Sequence, residues 1–171
     1  TPSEIEKADE TLRYISVPIL QHMKRITLRG SSLSDRFAAQ VLQLMPNLEE
    51  LHYLYGVSPN DAFIHLIADH LPKLRVLKLE GDGAATPRAG NYTDEALLYL
   101  LSKTQLTHLD LQHCGSLSGD LFTKMSQVGE RLTYLSIDKN SMEWESVLEN
   151  DDLRFEGVMP NMTDLYLAGN W

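Results

Sequence analysis

The chain contains the stretch Leu106-Thr-His-Leu109-Asp-Leu111-Gln-His-Cys114, in which leucines hold the first, fourth and sixth positions. Side chains alternate across a β-strand, so Leu109 and Leu111 would point to one side and the residues between them to the other. The stretch therefore predicts a short strand with one face in a core.

The same apolar string recurs along the chain. The six copies read Met23-x-x-Ile26-x-Leu28, Leu48-x-x-Leu51-x-Tyr53, Leu74-x-x-Leu77-x-Leu79, Leu106-x-x-Leu109-x-Leu111, Leu132-x-x-Leu135-x-Ile137 and Met162-x-x-Leu165-x-Leu167. Their first residues are separated by 25, 26, 32, 26 and 30 residues. A unit that recurs at this length indicates a repeat architecture in which each unit stacks on its neighbours.

Segments with helical spacing of apolar residues lie between the strings. Two of them hold Phe63, Ile64, Ile67, Ala68 and Leu71, and then Ala96, Leu97, Leu100 and Leu101. Candidate N-caps precede them at Ser34, Ser58, Thr93 and Ser118. Proline turns at 45–47, 71–73 and 159–161 end the preceding helices. Each unit is predicted to be a strand, a turn and a helix, with neighbouring strands parallel.

Charge and composition narrow the class of partner. The 171 residues are 43% apolar and 23% charged, with a formal net charge of −9 and a pI near 5.0. Such a chain repels the phosphates of nucleic acid and of anionic membranes. We expect neither nucleic acid nor a membrane as a partner, and favour another protein or peptide, basic or neutral in charge.

Cysteine content and hydropathy bear on the compartment. Cys114 is the single cysteine, so an intrachain disulfide is impossible. The sequence has no apolar run long enough to span a membrane and no signal-peptide pattern at Thr1. These features predict an intracellular protein of the cytoplasm or nucleus, while Asn-x-Thr sequons at Asn91 and Asn161 leave a glycosylated, secreted protein as the alternative.

The strings resemble the leucine-rich repeat. The fourth copy resembles the cysteine-containing subclass, as in the repeats that follow the F-box of many ubiquitin-ligase substrate receptors. The resemblance implies an α/β solenoid, a right-handed superhelix with about six parallel strands on its concave face and helices on its convex face. It covers residues 23–171, an array expected to be a fragment of a longer protein, and residues 1–22 are expected to be the helix of a preceding repeat or a cap.

The ninth position of each unit normally holds Asn or Cys in this family, and its side chain satisfies backbone groups of the buried loop. The matching residues here are Ser31, Gly56, Asp82, Cys114, Asn140 and Asn170. The resemblance implies a structural ladder of Ser31, Asp82, Cys114, Asn140 and Asn170, because Gly56 has no side chain to contribute.

The residues between the leucines predict three outward-facing columns. They are Arg25, Glu50, Val76, His108, Tyr134 and Asp164; Thr27, His52, Lys78, Asp110, Ser136 and Tyr166; and Arg29, Leu54, Glu80, Gln112, Asp138 and Ala168. Aromatic residues ringed by charge are typical of the centre of an interface. The candidate partner-binding residues are Glu80, His108, Asp110, Tyr134, Asp138, Asp164 and Tyr166, and the alternative is that these are ordinary solvated strand positions.

We find no motif for catalysis, a metal or a cofactor in the sequence. His108 and Cys114 are close in sequence, but strand alternation would send them to opposite faces, which disfavours both a metal site and a catalytic thiol. The glycine-rich insertion at 81–90 lacks the ending of a phosphate-binding loop, and the acidic segment at 141–158 favours a solvated surface. We expect a protein that is not an enzyme.

These patterns favour a non-catalytic module for protein–protein recognition. The family resemblance points to the substrate-binding repeats of an F-box-type ubiquitin-ligase receptor or adaptor. The alternative is a regulator, inhibitor or scaffold of the ribonuclease-inhibitor-like class.

Overall fold

Strands and helices alternate along the chain. A computed structural model describes residues 17–29, 35–56, 59–81, 92–113, 116–118, 120–126, 128–138, 141–142 and 159–168. The helices are α1 (Val17–His22), α2 (Asp35–Gln43), α3 (Asp61–His70), α4 (Asp94–Lys103) and α5 (Asp120–Met125). The strands are β1 (Arg25–Arg29), β2 (Glu50–Gly56), β3 (Val76–Gly81), β4 (His108–Gln112), β5 (Ser116–Leu117), β6 (Tyr134–Asp138), β7 (Ser141–Met142) and β8 (Asp164–Tyr166).

Six of these strands form one sheet. Their order is β1-β2-β3-β4-β6-β8, all neighbours are parallel, and β5 pairs with β7 separately. Each of the six apolar strings overlaps one strand of the large sheet. The prediction of an α/β protein with six parallel strands, alternating with helices, is confirmed.

One backbone arrangement joins every strand of the sheet to the next. The carbonyl of Lys24 accepts the amides of both Glu49 and Glu50, at 2.8 and 2.9 Å. The carbonyls of Glu49, Arg75, Thr107 and Thr133 each accept two successive amides of the following unit in the same way. The start of every strand is thereby held at a fixed position relative to its neighbour.

The predicted proline turns are confirmed. The amides of Leu48, Leu74 and Met162 each donate to the carbonyl three residues earlier, at 3.0, 3.0 and 3.1 Å. Before β6 the same turn is made without proline, where Leu132 donates to Gly129 at 2.9 Å. A Cβ at Gly129 would lie 2.8 Å from the carbonyl oxygen of Met125, so this turn requires glycine.

Two of the predicted helix caps need correction. Thr93 caps α4 as predicted, but Asn60, not Ser58, caps α3, because its side-chain oxygen accepts the amide of Phe63 at 3.0 Å. Ser118 lies two residues before α5 begins, and its hydroxyl donates to Asp94 instead. Ser34 and Ser58 themselves lie outside the described residues.

The core lies between the sheet and the helices. Leu51, Leu77, Leu109 and Leu135, which share the fourth position of the repeat, are at most 1% exposed. Leu165 holds that position in the last unit but is 38% exposed. The prediction of a buried leucine is wrong there, because β8 pairs only with β6 among the described strands.

The predicted structural ladder lies outside the described residues. Ser31, Asp82, Cys114, Asn140 and Asn170 all fall there, as do residues 1–16 and most of both insertions. Gly56 pairs with Gly81, because a bulge at Tyr55 adds one residue to β2. The expected alignment of Gly56 with Asp82 is therefore off by one residue.

The N-terminal segment contributes to the same core. Residues 17–22 form α1, and Leu20 within it is buried among the core side chains. The assignment of α1 as the helix of a preceding repeat or as a cap stays a prediction. No helix in the described ranges is long and apolar enough to cross a membrane.

Candidate protein-binding face

The predicted partner-binding residues lie on one face of the large sheet. The first column runs through His108, Tyr134 and Asp164, which are register partners on β4, β6 and β8. The second runs through Asp110, Ser136 and Tyr166, and the third joins Glu80 to Gln112 and Asp138. The structure therefore brings all seven predicted residues together on four neighbouring strands.

Three of these residues form a continuous aromatic ladder, defined here as His108, Tyr134 and Tyr166. The rings of His108 and Tyr134 are stacked, with centroids 5.7 Å apart and planes 12° apart. The rings of Tyr134 and Tyr166 are 5.5 Å apart and tilted by 39°. Tyr166 is 53% exposed, Tyr134 is half-buried and His108 is exposed. The ladder thus crosses β4, β6 and β8 with ring surface open to solvent.

Ser136 departs from the predicted exposure. It belongs to an outward column by register, yet it is only 5% exposed. Its neighbours on this face are Tyr134 and Asp138 along β6, and Asp110 and Tyr166 on the adjoining strands. These side chains are all larger than serine, so they cover it, and the rings stand above a small residue.

Asp110 is engaged within the protein. Its carboxylate lies 3.0 Å from the ammonium of Lys78 and accepts the side-chain amide of Gln112 at 3.1 Å. Burial lowers the pKa of Lys78, but the hydrogen bond and the attraction of Asp110, aided by Glu80, outweigh burial and raise it above its ordinary value. Asp110 therefore links β3 to β4, and the positive charge of Lys78 offsets its negative charge.

The remaining carboxylates give this part of the face a negative charge. Asp164 is exposed and its carboxylate lies 2.7 Å from the hydroxyl of Thr163, while Glu80 and Asp138 are half-buried. No lysine or arginine occurs on β4, β6 or β8. The aromatic ladder consequently lies in a negative field, which attracts cations.

The other end of the face is basic. Arg25 and Arg29 are exposed on β1, and β2 carries a Glu50–His52 contact of 3.1 Å. Nearby, Lys24 contacts Glu49 at 2.6 Å, and this hydrogen bond lowers the pKa of the Glu49 carboxyl. The charge of the face changes sign from β1 to β8.

Sequence reasoning missed a threonine ladder beside this face. The hydroxyls of Thr107, Thr133 and Thr163 donate to the carbonyls of Arg75, Thr107 and Thr133, at 3.2, 3.1 and 2.9 Å. The sequence does carry a signal for this ladder, because threonine follows the first apolar residue in the fourth, fifth and sixth strings.

It also missed the contacts that join successive helices at their N-termini. Asp61 accepts the amide of Thr93 at 2.7 Å, and Asp94 accepts the amide of Ser118 at 3.1 Å. Both carboxylates belong to the first residue of a helix, and each binds the residues that lead into the following one. The pattern of an acid at the first helical position, with a hydroxyl residue one unit later, is visible in the sequence.

The histidines on β4 and just after it make hydrogen-bond contacts within the protein. Nδ1 of His108 lies 3.0 Å from the hydroxyl of Thr107. His113 has a φ of 53°, and its amide donates to the carbonyl of Asp138 at 3.2 Å. Among the described residues, no group of three or more potential ligands is placed to hold a metal ion, and Cys114 lies outside them.

The chain matches no family model. A search of curated proteins likewise finds no significant match.

Proposed function

We propose that the chain is a leucine-rich-repeat solenoid that recognises another protein without catalysis. The repeated backbone junction supports the repeat assignment, since one carbonyl accepts two amides of the next unit five times at the spacing of the apolar strings. Parallel strands that alternate with helices are what such a repeat requires.

The aromatic ladder carries the proposal of a protein partner. Tyrosine is enriched at the energetic centres of interfaces because it offers a large, rigid surface with a polar end. Tyr134 and Tyr166 lie in contact on the open face of the sheet, with Asp138 and Asp164 beside them. The partner is a protein or peptide segment that presents basic residues to β4, β6 and β8.

The family resemblance suggests the biological setting. We propose that these repeats bind the substrate of an F-box-type ubiquitin-ligase receptor or adaptor. Affinity capture with the full-length protein tests this setting. If the setting is right, the subunit known to bind F-boxes is recovered together with the protein. Recovery of other partners without that subunit would favour the regulator or scaffold class.

Photo-crosslinking tests the binding face itself. A photoreactive residue at position 112, on the proposed face, is expected to capture the partner, while one at the exposed position 62 of α3 is not. The double variant Tyr134→Ala/Tyr166→Ala is expected to abolish capture and to leave folding nearly unchanged. Tyr99→Ala on α4 is the matched control, since it removes a tyrosine from the helical layer. Unchanged capture by the double variant would contradict the assignment.

A further inference from the structure

We infer that the aromatic ladder receives an arginine side chain of the partner, in preference to lysine. This inference rests on the proposed function and specifies the group that the face recognises. It begins from Tyr134 on β6 and Tyr166 on β8, whose ring centroids lie 5.5 Å apart. Because Tyr166 is more than half exposed, a ring face is available for a flat group to stack on.

The faces of tyrosine rings attract cations. The negative π face binds a guanidinium by stacking as well as by charge, and arginine makes such contacts more often than lysine. A lysine ammonium is compact and strongly hydrated, so it gains less from an exposed ring.

A carboxylate lies beside the exposed ring of Tyr166. Asp164 is exposed, lies two residues before Tyr166 on the same side of β8, and is the register partner of Tyr134. The donors of a guanidinium lie in its plane, so it can stack on a ring and donate to a carboxylate beside that ring at the same time. This combination of ring face and flanking carboxylate favours arginine over other cations.

In the described part of the sheet, the strands around the ladder supply no cation of their own. The nearest lysine of the face, Lys78, is bound to Asp110 at 3.0 Å, and β4, β6 and β8 have no lysine or arginine of their own. Complementary charge therefore defines the occupant as an arginine-containing segment of another protein.

Three matched peptides test the inference on the 171-residue chain. They are acetyl-Gly-Ser-Arg-Gly-Arg-Ser-Gly-amide, its lysine counterpart, and its citrulline counterpart, which keeps the shape of arginine without the charge. Binding is followed by NMR shifts of ring-labelled tyrosines at low ionic strength, where surface attraction is least screened. We expect the arginine peptide to bind about three- to fivefold more tightly than the lysine peptide, and the citrulline peptide not to bind.

Three variants separate stacking from charge. Tyr166→Leu removes the ring but retains apolar bulk, and should abolish the preference for arginine. Tyr166→Phe keeps the ring and should keep the preference. Asp164→Asn should weaken the binding of both peptides, and that of the arginine peptide more, because the stacked guanidinium also donates to this carboxylate.

The contrary outcomes are distinct. Equal affinity for arginine and lysine, unaffected by Tyr166→Leu, would overturn the inference but leave a basic partner in place. Absence of binding by any peptide would also overturn it, and crosslinking from position 112 would then judge the proposed function separately. Concentration-dependent dimers that Tyr166→Leu dissociates would show instead that a second copy occupies the ladder.

Discussion

Leu109 and Leu165 hold the same position in their repeats, yet they contribute to stability in different ways. Leu109 is 1% exposed and Leu165 is 38% exposed. The cost of truncating a leucine depends on the area it buries and on the cavity it leaves behind. Position in the repeat alone therefore does not determine how much a leucine contributes to the free energy of unfolding.

Leu109→Ala is expected to lower the free energy of unfolding by about 2 to 5 kcal/mol, because it opens a cavity in the core. Leu165→Ala is the matched control and should cost less than about 1.5 kcal/mol, since much of that side chain is already solvated. Chemical denaturation measures both values. Equal losses would show that Leu165 is buried in solution.

The threonine ladder gives a second prediction at the level of one residue. Thr133→Val preserves the shape of the side chain but removes the hydroxyl that donates to the carbonyl of Thr107. We expect a loss of about 0.5 to 1 kcal/mol, at the low end for a hydrogen bond because that carbonyl also accepts two amides. Thr133→Ser keeps the donor and tests whether the hydroxyl or the methyl group matters. A stable valine variant would show that the ladder is dispensable.

Between elements, helices α3 and α4 each use a first-turn carboxylate to hold the segment that leads into the next helix. Asp94 is buried at 6% exposure and accepts both the amide and the hydroxyl of Ser118. A carboxylate at this position also interacts favourably with the N-terminus of its own helix. One side chain therefore stabilises two elements.

Asp94→Asn should lower the free energy of unfolding by about 1 to 3 kcal/mol, because hydrogen bonds to a charged acceptor are lost or weakened. Glu95→Gln is the control, since Glu95 is an exposed acid in the same turn. Thermal or chemical unfolding compares the two variants. If Glu95→Gln costs as much, helix-dipole effects and not the link to Ser118 explain the loss.

The pair of Lys78 and Asp110 joins β3 to β4. Because of this pair, the free energy of unfolding should fall at alkaline pH. The folded-state pKa of Lys78 is raised, so its contribution is fully present below the ordinary lysine pKa of 10.5 and disappears as pH rises through the folded value. As pH rises through and beyond the ordinary lysine pKa, the native chain should lose more stability than Lys78→Gln. The difference should stay below about 1 kcal/mol because the pair is partly solvated. Parallel pH profiles of the two proteins would argue against this link.

At the scale of the molecule, contacts are made between neighbours. In the described part of the chain, the main contacts join β1 to β2, β2 to β3, β3 to β4, β4 to β6 and β6 to β8, and α3 to both α2 and α4. A structure built this way can open from an end while its middle stays folded. Stability should therefore vary along the array.

Hydrogen exchange measures that variation. The amides of β8 should exchange faster than those of β4, because all three residues of β8 are exposed while Leu109 and Leu111 are buried. Leu109→Ala should speed exchange in β3 and β6 as well as in β4, since these are its stacking neighbours. Uniform exchange along the sheet would indicate a single cooperative unit.

The sequence by itself determined the repeat, the parallel sheet and the register of the outward columns. A strand has a side-chain period of two and each apolar string recurs intact, so the columns follow once the strands pair in parallel. Tyr134 and Tyr166 could thus be placed on one face without coordinates.

Only the tertiary structure decided which of those residues remain available. It covers Ser136 with its neighbours, engages Asp110 with Lys78, exposes Leu165 at the edge, and stacks His108 on Tyr134. These outcomes depend on the size and charge of residues that are 26 to 32 positions away in the chain and become adjacent only when the units stack. A one-residue bulge in β2 likewise shifts Gly56 against Gly81, because extra backbone changes alignment without changing the apolar pattern.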